Sequence, residues 1–159
     1  IDIVLNMDPA AYIEGEDGSG CYIGKKLLTD YVRGYMPSDV REVFWDTFKL
    51  TPDDVMDAVY TKPLANRFCA SFSKFVYDIM INMEYSRGLV KTSFEDFFKN
   101  LVVHYPDYQK YSFNCIGSVA YNFRNVLEEV AHEFQMEFGR IVRSPIDDLV
   151  KFHQERIDV

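Results

Sequence analysis

A chain of 159 residues can hold one ordinary domain with a real core and is too short for two large ones. Its composition, 48% hydrophobic and 16% aromatic, excludes a disordered acidic tail. A formal net charge of -8, with Lys and Arg scattered singly or in pairs such as Lys25-Lys26, argues against a nucleic-acid partner.

The chain opens on the strand-like Ile1-Asp2-Ile3-Val4-Leu5 with no initiator methionine, so a piece of a longer protein is expected. Gly15-Glu16-Asp17-Gly18-Ser19-Gly20 then sets two acids among three glycines, on backbone free to turn through positive φ. Such carboxylates can hold a metal, grip hydroxyls or solvate a turn, and the residues alone leave all three open. Ile23, Leu27, Leu28 and Val32 have helical spacing, with Ser19 placed as the cap and Met36-Pro37 as the stop. Ser38 is expected to cap a second helix carrying Val40, Val43, Phe44 and Phe48 on one face. Thr51-Pro52-Asp53-Asp54 opens a third, with Val55, Met56 and Val59 as its buried side.

From Leu64 to Met83 the periodicity of Phe68, Phe72, Phe75 or Val76, and Ile79 predicts one long helix, broken by Gly88. Thr92-Ser93-Phe94-Glu95 reads as a capping box leading into Phe97, Phe98, Leu101 and Val102, closed by Tyr105-Pro106. Tyr111 to Ile116 alternates like a strand and runs into Gly117-Ser118. Val119, Phe123, Val126, Leu127, Val130 and Phe134 then mark an amphipathic helix that Gly139 should stop. Arg140 to Arg143 can be a short strand, and Ser144 caps a last helix through Val150. Strand, helical block, strand, helix, strand, helix predicts an α/β fold with a large helical insertion.

Several motifs are near misses. Gly20-Cys21-Tyr22-Ile23-Gly24-Lys25-Lys26 approaches a phosphate loop, but one residue too few separates the glycines and Lys26 stands where Ser or Thr must bind magnesium. Glu14, Glu16 and Asp17 lack the alternation of a calcium loop. His132-Glu133 begins H-E-x-x-H, but Met136 occupies the second histidine position, and His104, His132 and His153 are isolated. Cys21, Cys69 and Cys115 form no C-x-x-C and sit among apolar neighbours, so they read as small buried hydrophobes in a reducing cytoplasm. No stretch is long and apolar enough to span a membrane. Gly117-Ser118, at the end of a strand and the start of a helix, offers free N–H groups where open α/β sheets bind ligands; the plain alternative is a tight turn with a serine cap.

Tyr12-Ile13-Glu14-Gly15-Glu16-Asp17-Gly18-Ser19-Gly20 with Gly24-Lys25-Lys26-Leu27-Leu28, then Asn66-Arg67-Phe68-Cys69-Ala70-Ser71-Phe72, Ile116-Gly117-Ser118-Val119-Ala120 and Ser144-Pro145-Ile146-Asp147, follow one another from Tyr12 to His153. In this order they resemble the BadF/BadG-type ATPase family, which includes the N-acetylglucosamine kinases. The resemblance implies an actin/hexokinase-like protein of two ribonuclease-H-like domains closing over nucleotide and sugar. This chain, residues 1 to 159, would be a single domain forming the C-terminal half, with residues 38 to 108 as the helical insertion.

By position, the resemblance implies that Gly15, Glu16, Asp17, Gly18 and Ser19 form the sugar-facing turn, with Glu16 as the sugar-facing acid. It places Gly117, Ser118 and Asn122 on the nucleotide's adenosine side, with Ala70 or Ser71 closing over it. The family usually reads Asp-Glu where this chain has Glu16-Asp17. Its phosphate-binding loop and catalytic aspartate lie in the first domain, so no catalytic residue and no metal ligand is expected here. ATP and Mg2+ would be the cofactors, Mg2+ held mainly by the missing domain, and ATP or ADP and an amino sugar the partners. A homodimer stays open, as do two other functions: an ATPase energising a partner protein, and a non-catalytic sugar- or nucleotide-sensing module. The ATPase reading calls for iron–sulfur ligands, a pattern the three scattered cysteines do not make.

Overall fold

Helix α1, Gly20–Arg33, starts where Ser19 is placed to start it: the Ser19 hydroxyl accepts from the Tyr22 N–H at 3.1 Å. The computed structural model describes residues 5–6, 16–79 and 82–157, so the strand read at Ile1 to Leu5 lies, except for Leu5, outside the described residues. Gly34 ends α1 in the left-handed conformation (φ +78°), earlier than the expected Met36-Pro37. The Gly34 N–H donates to Tyr31 O at 3.2 Å and the Tyr35 N–H to Asp30 O at 2.8 Å, a Schellman turn that satisfies the last carbonyls.

The chain forms two units, Ile1–Pro106 and Asp107–Val159. In the first, α2 (Ser38–Phe48) begins at Ser38, but Ser38 does not cap it; the Asp39 carboxylate accepts from the Val40 N–H instead. Helix α3 (Pro52–Tyr60) has the capping box of Thr51 and Asp54 in full. Val55 and Ala58 are its buried residues, whereas Met56, expected inside, is exposed.

The expected long helix from Leu64 to Met83 is two short ones, α4 (Ala65–Ser71) and α5 (Ser73–Asp78), joined at Phe72. Two hydroxyls compete for the ladder there: Ser71 Oγ donates to Phe68 O at 2.6 Å and Ser73 Oγ to Ala70 O at 2.8 Å. The break turns Phe72 inward, its ring 5.7 Å from Phe44 and 4.8 Å from Phe48. Phe44, fully buried, also meets Tyr31 and Phe75. Such pairs each add about 0.5–1.5 kcal/mol beyond the area they bury.

Helix α6 runs unbroken from Met83 to Asn100, capped by Asn82, whose side chain accepts from the Tyr85 N–H. Gly88 therefore does not break a helix, and Thr92 to Glu95 do not start one. A glycine inside a helix costs only about 1 kcal/mol relative to alanine, which the burial of Leu89, Val90, Phe94 and Phe98 outweighs. The Thr92 hydroxyl bonds back to Gly88 O rather than capping. At the heart of this unit α1 lies against α4 at Gly24, where an added Cβ would come within 1.9 Å of the Cys69 carbonyl oxygen. Only hydrogen fits there.

In the second unit, β1 (Ser112–Ile116) leads through α7 (Ser118–Asn122) and α8 (Arg124–Glu133) to β2 (Glu137–Val142), and α9 (Ile146–Ile157) follows. The strands pair in parallel, Ser112 opposite Glu137 and Ile116 opposite Val142, with a register shift between Phe113 and Cys115. The amphipathic helix expected from Val119 to Phe134 is interrupted at Phe123, and its end is set by Gln135 (φ +61°), not by Gly139. Gly139 sits inside β2. Asn114 explains why: its Oδ1 accepts from the Arg140 N–H at 2.8 Å, closing the irregular ladder, and a Cβ on Gly139 would lie 2.6 Å from that atom. The chain is thus α/β, mostly helical, with a small parallel sheet.

Two substitutions test this packing by urea unfolding. Gly24→Ala must drive α1 off α4 and is expected to lower stability by about 3 kcal/mol or more. Ser93, fully buried on α6, has a hydroxyl with no hydrogen-bond partner among the described residues; Ser93→Ala is expected to raise stability by about 1 kcal/mol.

Candidate functional site

The acidic glycine turn is a folded object with internal ties. The Ser19 N–H donates to Glu16 O at 2.9 Å, a turn that requires positive φ at Gly18 (+75°). A side chain at Gly18 would also press on Phe97, 3.3 Å away. The Glu16 carboxylate accepts from Ser19 Oγ on one oxygen at 3.2 Å and from Asn66 Nδ2 on the other at 3.5 Å. Asp17 accepts from Asn100 Nδ2 at 2.7 Å. So Glu16 ties the start of α1 to the start of α4, and Asp17 ties the turn to the end of α6. Gly15 lies outside the described residues.

Buried Cys21 lies one turn before Gly24 on α1. Burial first, then the hydrogen bond to the Glu16 carboxylate, push its thiol up to about 12, so it stays protonated at neutral pH. Ala70 and Ser71 stand at the far end of α4 from Asn66. The Ala70 carbonyl and the Ser71 hydroxyl are each engaged in the local bonds described above. Ser71 lines a cavity of about 400 Å³ together with Val43, Phe48, Lys74 and Phe75. The first unit thus brings Glu16 to α4 through Asn66, a residue of the quoted motif whose tie to Glu16 no local pattern could reveal.

The second unit holds the remaining residues. Gly117 follows the carboxyl end of β1, and its N–H donates to Val142 O at 2.9 Å, at the carboxyl end of β2. Its backbone (φ +153°, ψ +153°) suits glycine alone, and a Cβ there would meet nothing within 4 Å. Ser118 and Asn122, four apart on α7, are both exposed. Three expectations change, the first being that the Gly117 N–H, expected free, is taken by Val142 O. Ser118 makes no side-chain cap, and α7 spans only five residues, so the dipole expected from a long helix is curtailed at Phe123. The sequence reading also passed over Tyr121, 47% exposed, with the Arg143 guanidinium 5.9 Å from its ring centroid. Its only sequence signal was proximity: Tyr121 is three residues beyond Ser118, and Arg143 follows β2.

The chain is similar in structure to the "Putative N-acetylglucosamine Kinase" of Porphyromonas gingivalis, with a TM-score of 0.87 and 33% sequence identity. The likeness covers 97% of this chain and 54% of that one, so the chain spans about half the length of the protein it matches. No protein-family model matches the chain, and no curated protein does.

Two measurements test the turn as described. Glu16→Gln sets an amide N–H against one of its donors, and is expected to lower unfolding free energy by about 1–2 kcal/mol. Iodoacetamide at pH 8 should leave Cys21 unmodified in the native protein and label it readily in urea, as mass spectrometry would show.

Proposed function

We propose that this chain is the C-terminal half of an ATP-dependent kinase acting on N-acetylglucosamine or a related amino sugar, with a ribonuclease-H-like core and residues 38 to 108 as its helical insertion. The observation that carries the reading is the likeness, over 97% of this chain, to the Porphyromonas gingivalis protein. Phosphoryl transfer rests on positioning and electrostatic stabilisation, so a half-cleft contributes by holding and orienting its ligands.

In this reading Gly117, with no side chain and an open approach, lets the adenosine part of the nucleotide come close to the backbone. Ser118 and Asn122 offer it an exposed hydroxyl and amide. ATP supplies the transferred phosphoryl group. Glu16 is the sugar-facing acid, within the turn of Gly15, Asp17, Gly18 and Ser19. Ser19, Asn66 and the Cys21 thiol take three of its acceptor positions and fix its direction; the position that remains can accept from a sugar hydroxyl, and charged acceptors make the stronger bonds. The carboxylate would bind and orient the sugar without taking its proton. Among the described residues no group of three or more His, Cys, Asp or Glu is placed to hold a metal ion. The described residues by themselves therefore do not make up a Mg2+ site.

The test is ADP release by the full-length protein with and without N-acetylglucosamine. Release that depends on the sugar is expected; sugar-independent release would replace the kinase reading with that of an ATPase, and none at all with that of a sensing module. Ser118→Phe is expected to weaken ADP binding at least about tenfold, about 1.4 kcal/mol, while Glu16→Gln raises KM for the sugar and leaves KM for ATP unchanged.

A further inference from the structure

A groove of about 600 Å³ runs between α1 and α6 and uses none of the residues assigned above. Two hydrogen bonds tie its walls together. Tyr22 on α1 donates to Asp96 on α6 at 2.6 Å, and Tyr85 on α6 donates to Asp30 on α1 at 2.9 Å. Burial, and then the bonded carboxylates, push both phenols upward, so both remain neutral donors. Between these ties Gly88 has no side chain, and a Cβ there would meet nothing within 4 Å. The groove is therefore open over a bare stretch of helix between two fixed walls.

Its lining is rich in cations. The Lys25 and Lys26 ammonium groups lie 5.9 and 5.0 Å from the centroid of the same Tyr22 ring. Asp96 pairs with Lys26 at 3.4 Å and also receives the Tyr22 hydroxyl, while Asp30 is engaged by Tyr85. Among the described residues Lys25 has no carboxylate partner, and neither does Arg33, which lines the same groove. Three cations thus face Asp30 and Asp96, both already bonded, while Asp17, which also acts on the Tyr22 phenol, is held by Asn100. Each ammonium is attracted by the ring face, and two of them side by side also attract a phosphoryl group. The volume is that of a small-molecule site, and the lining mixes phenol, hydroxyl and cation. Arg33 lies eight residues farther along α1, about 12 Å at 1.5 Å per residue, which leaves room for an organic body beyond a single phosphate.

We infer that this groove binds a small organic phosphate, with the phosphoryl group between Lys25 and Lys26 and the hydroxylated body lying over Gly88 toward Arg33. It is a binding site only, lined by other residues than those of the proposed kinase site.

Amide chemical shifts of the isotope-labelled full-length protein test it, with glucose 6-phosphate as probe and glucose and inorganic phosphate as controls. Saturable shifts at Lys25, Thr29 and Gly88 are expected with glucose 6-phosphate and absent with glucose, and inorganic phosphate should bind at least about tenfold more weakly. Lys25→Ala should weaken the ester about tenfold. Gly88→Leu should abolish its binding without lowering the unfolding midpoint, because leucine is the better helix former and has open space to enter. Unmoved groove amides, or an affinity that both variants leave unchanged, would overturn the site. Equal affinity for inorganic phosphate would overturn the organic body. Shifts confined to Gly117 and Ser118 would overturn the groove and leave the kinase reading standing, while a failed ADP-release assay would not touch the groove.

Discussion

The first unit depends on two backbones meeting where a side chain would normally stand. At Gly24 the α1 backbone lies so close to the Cys69 carbonyl that no carbon atom fits between them. That spacing brings the start of α4 within reach of the turn before α1, so that Asn66 can bond Glu16. It also buries Cys21 and Cys69 on the facing sides of the two helices, and it leaves the opposite face of α1 free to line the groove with α6. Polar bonds of the kind seen around Glu16 contribute about 1 kcal/mol each and could not impose such a distance. Close packing without a Cβ imposes it, and the polar bonds follow.

This recasts the motif that invited comparison with a phosphate loop. Gly24 is spaced wrongly for phosphate and rightly for helix contact, and the lysines after it point to a groove rather than to a loop. In the acidic turn, Gly18 likewise serves packing and backbone geometry, with a positive φ against Phe97. Read alone, GEDGSG asks why two carboxylates share a flexible turn. In the fold the turn is not slack, because each carboxylate has a donor from a different helix.

What the sequence revealed and what it concealed have separable causes. Helix starts written in local chemistry were legible: Ser19, and the Thr51-Pro52-Asp53-Asp54 set, act within one turn of themselves. So was Gly117-Ser118 at the end of a strand. Gly88 and Gly139 were misread because a glycine's local meaning is to break structure, while its meaning here depends on distant atoms. Open space surrounds the first and Asn114 crowds the second. The break at Phe72 was hidden because a ring that recurs at helical spacing also suits a cluster reached by bending, and two serine hydroxyls enabled the bend. For the candidate site, the acidic turn and the strand end could be read; the ties through Asn66 and Asn100, 50 and 83 residues away from their acids, could not.

The irregular strand pair has a consequence for how this chain can change over generations. Asn114 lends its side-chain oxygen to the Arg140 N–H, and that oxygen occupies the place where position 139 would carry a Cβ. The two positions are therefore inherited as one choice. A lineage that keeps the asparagine is held to glycine across the sheet. One that loses it can admit a side chain at 139, but only by restoring a regular ladder. Paired drift at these two sites, with neither changing alone, is the evolutionary trace the bulge should leave.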